Sequence, residues 1–254
     1  MKLKMRTRRA SPLHGDTPLY MEVRREILQC LSKGEWVPGD RLPSEPALAT
    51  RLGVAIPTVR AGISDLVGAG ILIRLQGSGT FVARHNSEGQ QVRYSNIENS
   101  RRESVVTRRT ALTMKRTRAD RETAQLLHLP ADDPAVYRIE TVLEVNARPV
   151  ASMRVLLPLA LFSRLTKQSI EKTDSNLYSV YEESCGLTVV RMEERIHARA
   201  ADTATARALG VKACHPLLFV ERIAYTYEDR PVELRRRWFE GTEHHYLFRH
   251  SELD

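Results

Sequence analysis

Cysteine is scarce in this 254-residue chain, and what there is lies far apart: Cys30, Cys185 and Cys214, an odd number with no C-x-x-C pair. That pattern excludes a disulfide framework and a thiolate zinc site, so the three are expected to act as small hydrophobes in a reducing compartment. Long apolar runs are missing as well. The longest, residues 155–162, is broken by Pro158 and falls far short of the ~20 residues that span a bilayer, which excludes a membrane-spanning helix. The basic start, Met1-Lys2-Leu3-Lys4-Met5-Arg6, leads into no apolar stretch, so no secretory signal is expected and the protein is assigned to the cytoplasm, away from membranes. The histidines are scattered. Only His244 and His245 adjoin, with no third ligand at useful spacing, so neither a metal nor a cofactor is expected. No Ser/His/Asp or Cys/His arrangement can be argued from spacing either, so no catalytic residue is assigned and the chain is not expected to be an enzyme.

What is present is a folded composition, 42% hydrophobic and 28% charged, with length for one large domain or two modest ones. The net charge of +8 is unevenly placed. Residues 1–84 hold 13 Lys and Arg against 7 Asp and Glu, so +6 of the total sits in the first third, and five of those cations lie in the first nine residues. A small basic part ahead of a nearly neutral larger one is the electrostatic footprint of a polyanion-binding module, nucleic acid above all.

Pro18 opens a helix with Leu19, Val23, Ile27 and Leu31 on one stripe, closed by Lys33 and Gly34. Ser44 is the expected N-cap of a short second helix that ends near Gly53, and a third runs from Ile56 to Gly68 with Val59, Ile63, Leu66 and Val67 inward. Two helices around a tight turn, followed by strands at 71–75 and 80–83 about the turn Gln76-Gly77-Ser78-Gly79, make a winged helix-turn-helix over residues 1–84. Residues 85–109 are polar and aperiodic and are expected to be a linker. Beyond them, over 110–254, helices are expected near 120–128, 159–166, 175–185 and 200–209. Strands are expected over 136–145, 149–156, 187–198, 216–227 and 231–240. Antiparallel hairpins with segregated helices give an α+β fold class.

Pro18-Leu19-Tyr20, Gly34-Glu35-Trp36, Pro38-Gly39-Asp40-Arg41-Leu42-Pro43-Ser44-Glu45, Thr58-Val59-Arg60 and Gln76-Gly77-Ser78-Gly79-Thr80-Phe81-Val82 resemble the winged-helix domain of GntR-family transcription regulators. The resemblance implies that the third helix enters the major groove of an operator while the hairpin tip lies against the minor groove. Arg41, Ser44, Ile56, Thr58, Arg60, Arg74, Gln76, Gly77 and Ser78 are the expected DNA-binding residues, with Arg60 foremost. The third helix departs from the family's Gly-Val-Ser-Arg-Thr-Thr-Val-Arg. Here it reads Gly53-Val54-Ala55-Ile56-Pro57-Thr58-Val59-Arg60, which removes a capping hydroxyl, a DNA-facing arginine and one N–H. Altered readout is expected, with Ile56 packed on a thymine methyl.

Ala124-x-x-Leu127, Pro149-Val150-Ala151, Leu177-Tyr178, Ala206-x-x-Leu209-Gly210, Pro216-Leu217-Leu218 and Pro231-Val232-Glu233 resemble the effector-binding UTRA domain of the HutC subfamily, which shares the chorismate-lyase fold. The resemblance implies a homodimeric, ligand-responsive regulator of double-stranded DNA, most often a repressor released by a metabolite. Two other readings stay open: a ligand-independent DNA-binding dimer, and a lyase-like enzyme. Where sugar-phosphate-sensing members carry two arginines and a glutamate, this chain has Thr141, Leu143 and Met153; Asn176, Tyr178 and Glu233 occupy further effector positions. Alternation along the last strand puts Glu233, Arg235 and Arg237 on one face. The expected effector is therefore a small anion, such as a carboxylate, held by Arg235 and Arg237, or else those arginines pair with Glu240 or Glu243 or lie in solvent.

Overall fold

The structure, a computed structural model, describes residues 18–84, 97–103, 105, 107–172 and 177–247. The chain divides into two compact units, 1–84 and 85–254.

In the first unit, α1 (Leu19–Ser32) buries Val23, Ile27 and Leu31, one residue per turn. Leu19, expected on the same stripe, is exposed at the first position of the helix. The Ser44 hydroxyl accepts the Ala47 N–H at 3.4 Å to start α2 (Glu45–Leu52), and Gly53 at φ +69° ends it, a left-handed angle that costs glycine nothing. α3 (Ile56–Gly68) begins on Ala55 with no side-chain cap and turns Val59, Gly62, Ile63 and Leu66 inward. Each such aliphatic side chain stabilises the unit by roughly 1.5–3 kcal/mol over its exposed state. β1 (Leu72–Leu75) and β2 (Gly79–Val82) pair antiparallel as the wing, with Gly77 at φ +75° in the turn. Arg41 joins the wing through a backbone bridge to Phe81.

The second unit is built on an antiparallel sheet of β4 (Arg108–Arg118), β5 (Ala135–Val145), β6 (Arg148–Pro158), β9 (Pro231–Phe239), β8 (Pro216–Tyr225) and β7 (Arg191–Ala200), in that spatial order. A separate ribbon pairs β3 (Ile97–Asn99) with β10 (His244–Tyr246). Ile139, Met153, Val155, Leu157 and Phe239 on one sheet face form the main core with Ile170 of α5 (Lys167–Glu171) and with Leu177, Tyr178, Val180 and Tyr181 of α6 (Leu177–Cys185). Smaller clusters hold α4 (Arg121–Leu126), where Leu126 and Leu127 pack with Leu156 and Leu234, and α7 (Thr203–Leu209), where Ala206 and Leu209 pack with Leu217. Along β9 this means Leu234 on one side and Glu233, Arg235, Arg237 on the other.

Three expectations change. Residues 97–99 and 108–109, placed in the expected linker, are strand: β3 pairs with β10, and β4 adds an edge to β5. β4 is hard to see because only Ala111, Leu112 and Met114 are apolar in a run otherwise of Arg, Thr and Lys, the composition of a charged edge strand. The helix expected near 159–166 lies instead at Lys167–Glu171, since Thr166 and Ser169 form a reciprocal capping box that fixes its start. The strand expected over 187–198 starts later, at Arg191.

α1 crosses α3 closely at Gly62, where an added Cβ would come within 2.9 Å of both the Tyr20 carbonyl oxygen and Val23 Cγ1. Alanine is the better helix former by about 1 kcal/mol, yet overpacking costs about 1–3 kcal/mol. Chemical denaturation of Gly62→Ala is expected to show a net loss of stability; a gain would mean the helices have room.

Candidate DNA interface and effector site

On the first unit, Ile56 and Pro57 are exposed at the N-terminus of α3, Thr58 is half-buried, and Arg60 is exposed one turn on. Gln76, Gly77 and Ser78 are exposed at the wing tip. Of the expected DNA-binding residues, three carry structural duties. Ser44 caps α2. Arg41 lies beside Gly79, whose hypothetical Cβ would sit 2.9 Å from the Arg41 Nε. Arg74, on β1, reaches Glu45 at 3.3 Å, where it meets Arg60 on the same carboxylate. The sequence reading did not single out Glu45.

On the second unit, Glu233, Arg235 and Arg237 do project from one face of β9, and all three are buried. Neighbouring strands extend the same face. Met153 of β6 and Thr141 of β5 lie in register with Arg237, and Leu143 is one pair further along. All three of these are buried, and Thr141 donates its hydroxyl proton to the Thr110 carbonyl at 2.7 Å. They contribute no charge. Asn176 lies outside the described residues. On the other flank, β8 places the fully buried Arg222 beside Arg235, and β7 places Glu194 beside Arg222.

The polar groups of this face are closely paired, although the Nε atoms of both Arg235 and Arg237 have no hydrogen-bond partner among the described residues. Glu233 accepts from Arg235 at 2.7 Å, from the Tyr181 hydroxyl at 2.6 Å and from the Tyr178 hydroxyl at 3.2 Å. Arg222 donates to Glu194 at 2.6 Å and to the Tyr246 hydroxyl at 3.3 Å, while Tyr246 donates to Glu194 at 2.7 Å. Arg235 stacks its guanidinium 5.1 Å above the Tyr178 ring, and Arg237 lies 5.7 Å from that of Tyr246. Two carboxylates thus answer three buried arginines. Arg237 is the one left over: among the described residues it has no ion pair, and its Nε has no hydrogen-bond partner. The alternative partners are engaged elsewhere, Glu240 with His215 and Thr242, and Glu243 with Arg148.

Electrostatics sorts the arginines the same way. Burial alone disfavours each charge, but at Arg222 the contributions of Tyr178, Tyr246 and Glu194 outweigh it and hold the guanidinium well above its ordinary pKa. At Arg237 burial wins: Tyr246 and, more weakly, Glu194 pull the other way, Arg222 and Arg235 add to the burial, and the pKa falls below the ordinary value. Burial, and then the charge on Glu233, keeps Tyr181 well above a normal phenol. A guanidinium does not lose its proton in a protein, so Arg237 remains a charged fork with donors to spare. Such a group has the geometry to pair with a carboxylate.

Arg222, Glu194, Tyr181 and Tyr246 were not among the expected residues. The signal for Arg222 was present: Glu221-Arg222 interrupts an otherwise apolar strand, and consecutive residues face opposite ways, so one had to point inward. The other three have no local signal.

The charge imbalance is open to test. Replacing an uncompensated buried cation by a flexible apolar side chain is expected to stabilise, so Arg237→Met should melt at a higher temperature than the wild type. Arg222→Met, which strands Glu194, should lose about 3–5 kcal/mol. Equal losses in the two variants would show that Arg237 is as fully compensated as Arg222.

Comparison with known proteins matches residues 103–245 to the UTRA domain and 19–82 to the gntR family of bacterial regulatory proteins. The chain is 29% identical over 233 residues, 91% of this chain and 95% of the other, to the mannosyl-D-glycerate transport/metabolism system repressor MngR of Escherichia coli. It is 26% identical over 238 residues, 92% of this chain and 96% of the other, to the transcriptional repressor NagR of Bacillus subtilis. Among solved structures, the ligand-binding domain of a GntR-family transcriptional regulator from Bordetella bronchiseptica aligns with 31% identity and a TM-score of 0.58, covering 63% of this chain and 98% of that one. YydK of Bacillus subtilis shares the fold over 92% of this chain and 99% of its own at a TM-score of 0.55 and 18% identity. With a UTRA domain over more than half its length and a gntR-type winged helix ahead of it, the chain belongs to the GntR-family transcription regulators.

Proposed function

We propose that this regulator is a repressor whose operator is released when a small carboxylate binds at Arg237. One observation carries the ligand class: a buried guanidinium, lacking an anionic partner among the described residues, on the sheet face that also holds Arg235 and Arg222. A carboxylate about 4 Å away would gain roughly 4 kcal/mol at an effective dielectric near 20, and two parallel N–H···O bonds would fix its orientation. Arg235 is tied to Glu233, so it flanks the ligand, while Tyr178 and Tyr246 wall the site with their rings. Met153, Thr141 and Leu143 shape the rest without adding the second cation that a phosphate dianion favours. Mannosyl-D-glycerate, named for one relative, is itself a carboxylate.

At the other end, α3 would enter the major groove with Ile56, Thr58 and Arg60 at base edges, and the wing tip Gln76-Gly77-Ser78 would follow the minor groove. Arg41, Ser44 and Arg74 would hold the backbone. A homodimer in the cytoplasm, reading two half-sites, completes the proposal. Ligand and DNA then compete through a coupling free energy between two distinct sites.

Thermal melts of the wild type against a panel of sugar acids, hydroxy acids and amino-acid catabolites test it. At least one carboxylate should raise the melting temperature in proportion to the logarithm of its concentration, and Arg237→Met should abolish that rise. A ligand that stabilises both proteins equally overturns the Arg237 assignment, and a panel without effect, extended to neutral and phosphorylated metabolites, favours a constitutive DNA-binding dimer.

A further inference from the structure

An acidic residue in the middle of a basic surface invites a reason. Glu45, at the first position of α2, extends its carboxylate between α3 and the wing. Oε2 accepts from Arg60 Nε at 3.0 Å and lies 2.9 Å from a second nitrogen of the same guanidinium, while Oε1 accepts from Arg74 at 3.3 Å. The carboxylate is mostly covered, at 24% exposure, whereas Arg60 and Arg74 keep 62% and 42%. Each guanidinium therefore spends one edge on Glu45 and shows the other to solvent.

We infer that Glu45 is a positioning residue for operator recognition: it orients Arg60 and Arg74 toward the duplex and cancels part of their charge, so that sequence, rather than phosphate alone, decides binding. Two long cations without such a tether would explore many rotamers, and ordering them on DNA would cost side-chain entropy that the tether has already spent. Untethered arginines would also settle on whatever phosphate is nearest. Fixed from two elements by one carboxylate, they present the recognition helix and the wing in a set relation. The clasp links α2, α3 and β1, so it holds the three pieces that a winged helix uses to read DNA. This inference rests on the DNA-binding reading of the first unit.

The test uses the full-length protein, a duplex from its own promoter region and an unrelated duplex of equal length, over a salt series. Glu45→Gln removes the charge and keeps the shape; Glu45→Asp keeps the charge but is too short to reach both arginines. With Glu45→Gln, affinity for the unrelated duplex is expected to rise and its salt slope to steepen by about one to two, as two cations become free for phosphates. The promoter-to-unrelated ratio is expected to fall at least tenfold. With Glu45→Asp the ratio is expected to fall as well, while the salt slope stays near that of the wild type. If only Glu45→Gln changes, Glu45 acts through charge repulsion alone and the positioning role is overturned; an unchanged ratio in both variants overturns it too. A wild type that prefers no promoter fragment at any salt overturns the DNA reading itself, and this inference with it.

Discussion

A charge buried without its counter-charge is the constraint around which the larger unit is organised. Proteins avoid that state because desolvation of an ion costs several kcal/mol that only close pairing offsets. Here Arg222 with Glu194, and Arg235 with Glu233, meet that requirement, each pair finished by tyrosine hydroxyls. Arg237, the next residue beyond Arg235 on the same face of β9, has no ion pair among the described residues. The opposite face of the same strands shows what full compensation looks like: Arg236 meets Glu221 and Glu122, and Arg154 meets Glu140, all in the half-exposed register next door. Matched pairs on one face and an arginine without an ion pair on the other are the distribution expected if that face takes an anionic ligand.

The winged helix shows a milder version of the same trade. Ala55 leaves α3 without a side-chain cap, and Pro57 removes a donor from its first turn, so α3 begins with fewer polar groups than the Ser44-capped α2. Ile56 stands exposed at the start of α3. An apolar, weakly capped tip flanked by arginines on a shared carboxylate suits a reader that combines methyl contacts with a few well-aimed cations.

Most of the smaller unit could be read from the sequence, because local chemistry dictates it. Ser44 and Gly53 mark the ends of α2 by capping and by a left-handed turn, and Gly77 marks the wing. Period-two alternation on β9 was enough to put Glu233, Arg235 and Arg237 together. What was not legible depended on register between distant strands. Glu194 and Tyr246 reach Arg222 only because β7 pairs with β8 and because β10 returns to that end of the sheet; nothing within ten residues of either announces it. β3 and β4 escaped for a different reason. Short or charge-rich edge strands bury little and so carry little periodicity, and they look like linker until their partners are known.

Linkage offers the most direct check on the whole account. A carboxylate that binds at Arg237 should weaken the grip of the full-length protein on its own promoter DNA, and saturating DNA should weaken the carboxylate by the same factor, because binding free energies couple reciprocally. Titration calorimetry of the ligand with and without DNA, matched to anisotropy of DNA with and without ligand, measures both factors. Equal factors well above one in the wild type, collapsing to one in Arg237→Met, are the predicted result; a ligand held at Arg237 that leaves DNA affinity untouched would contradict it.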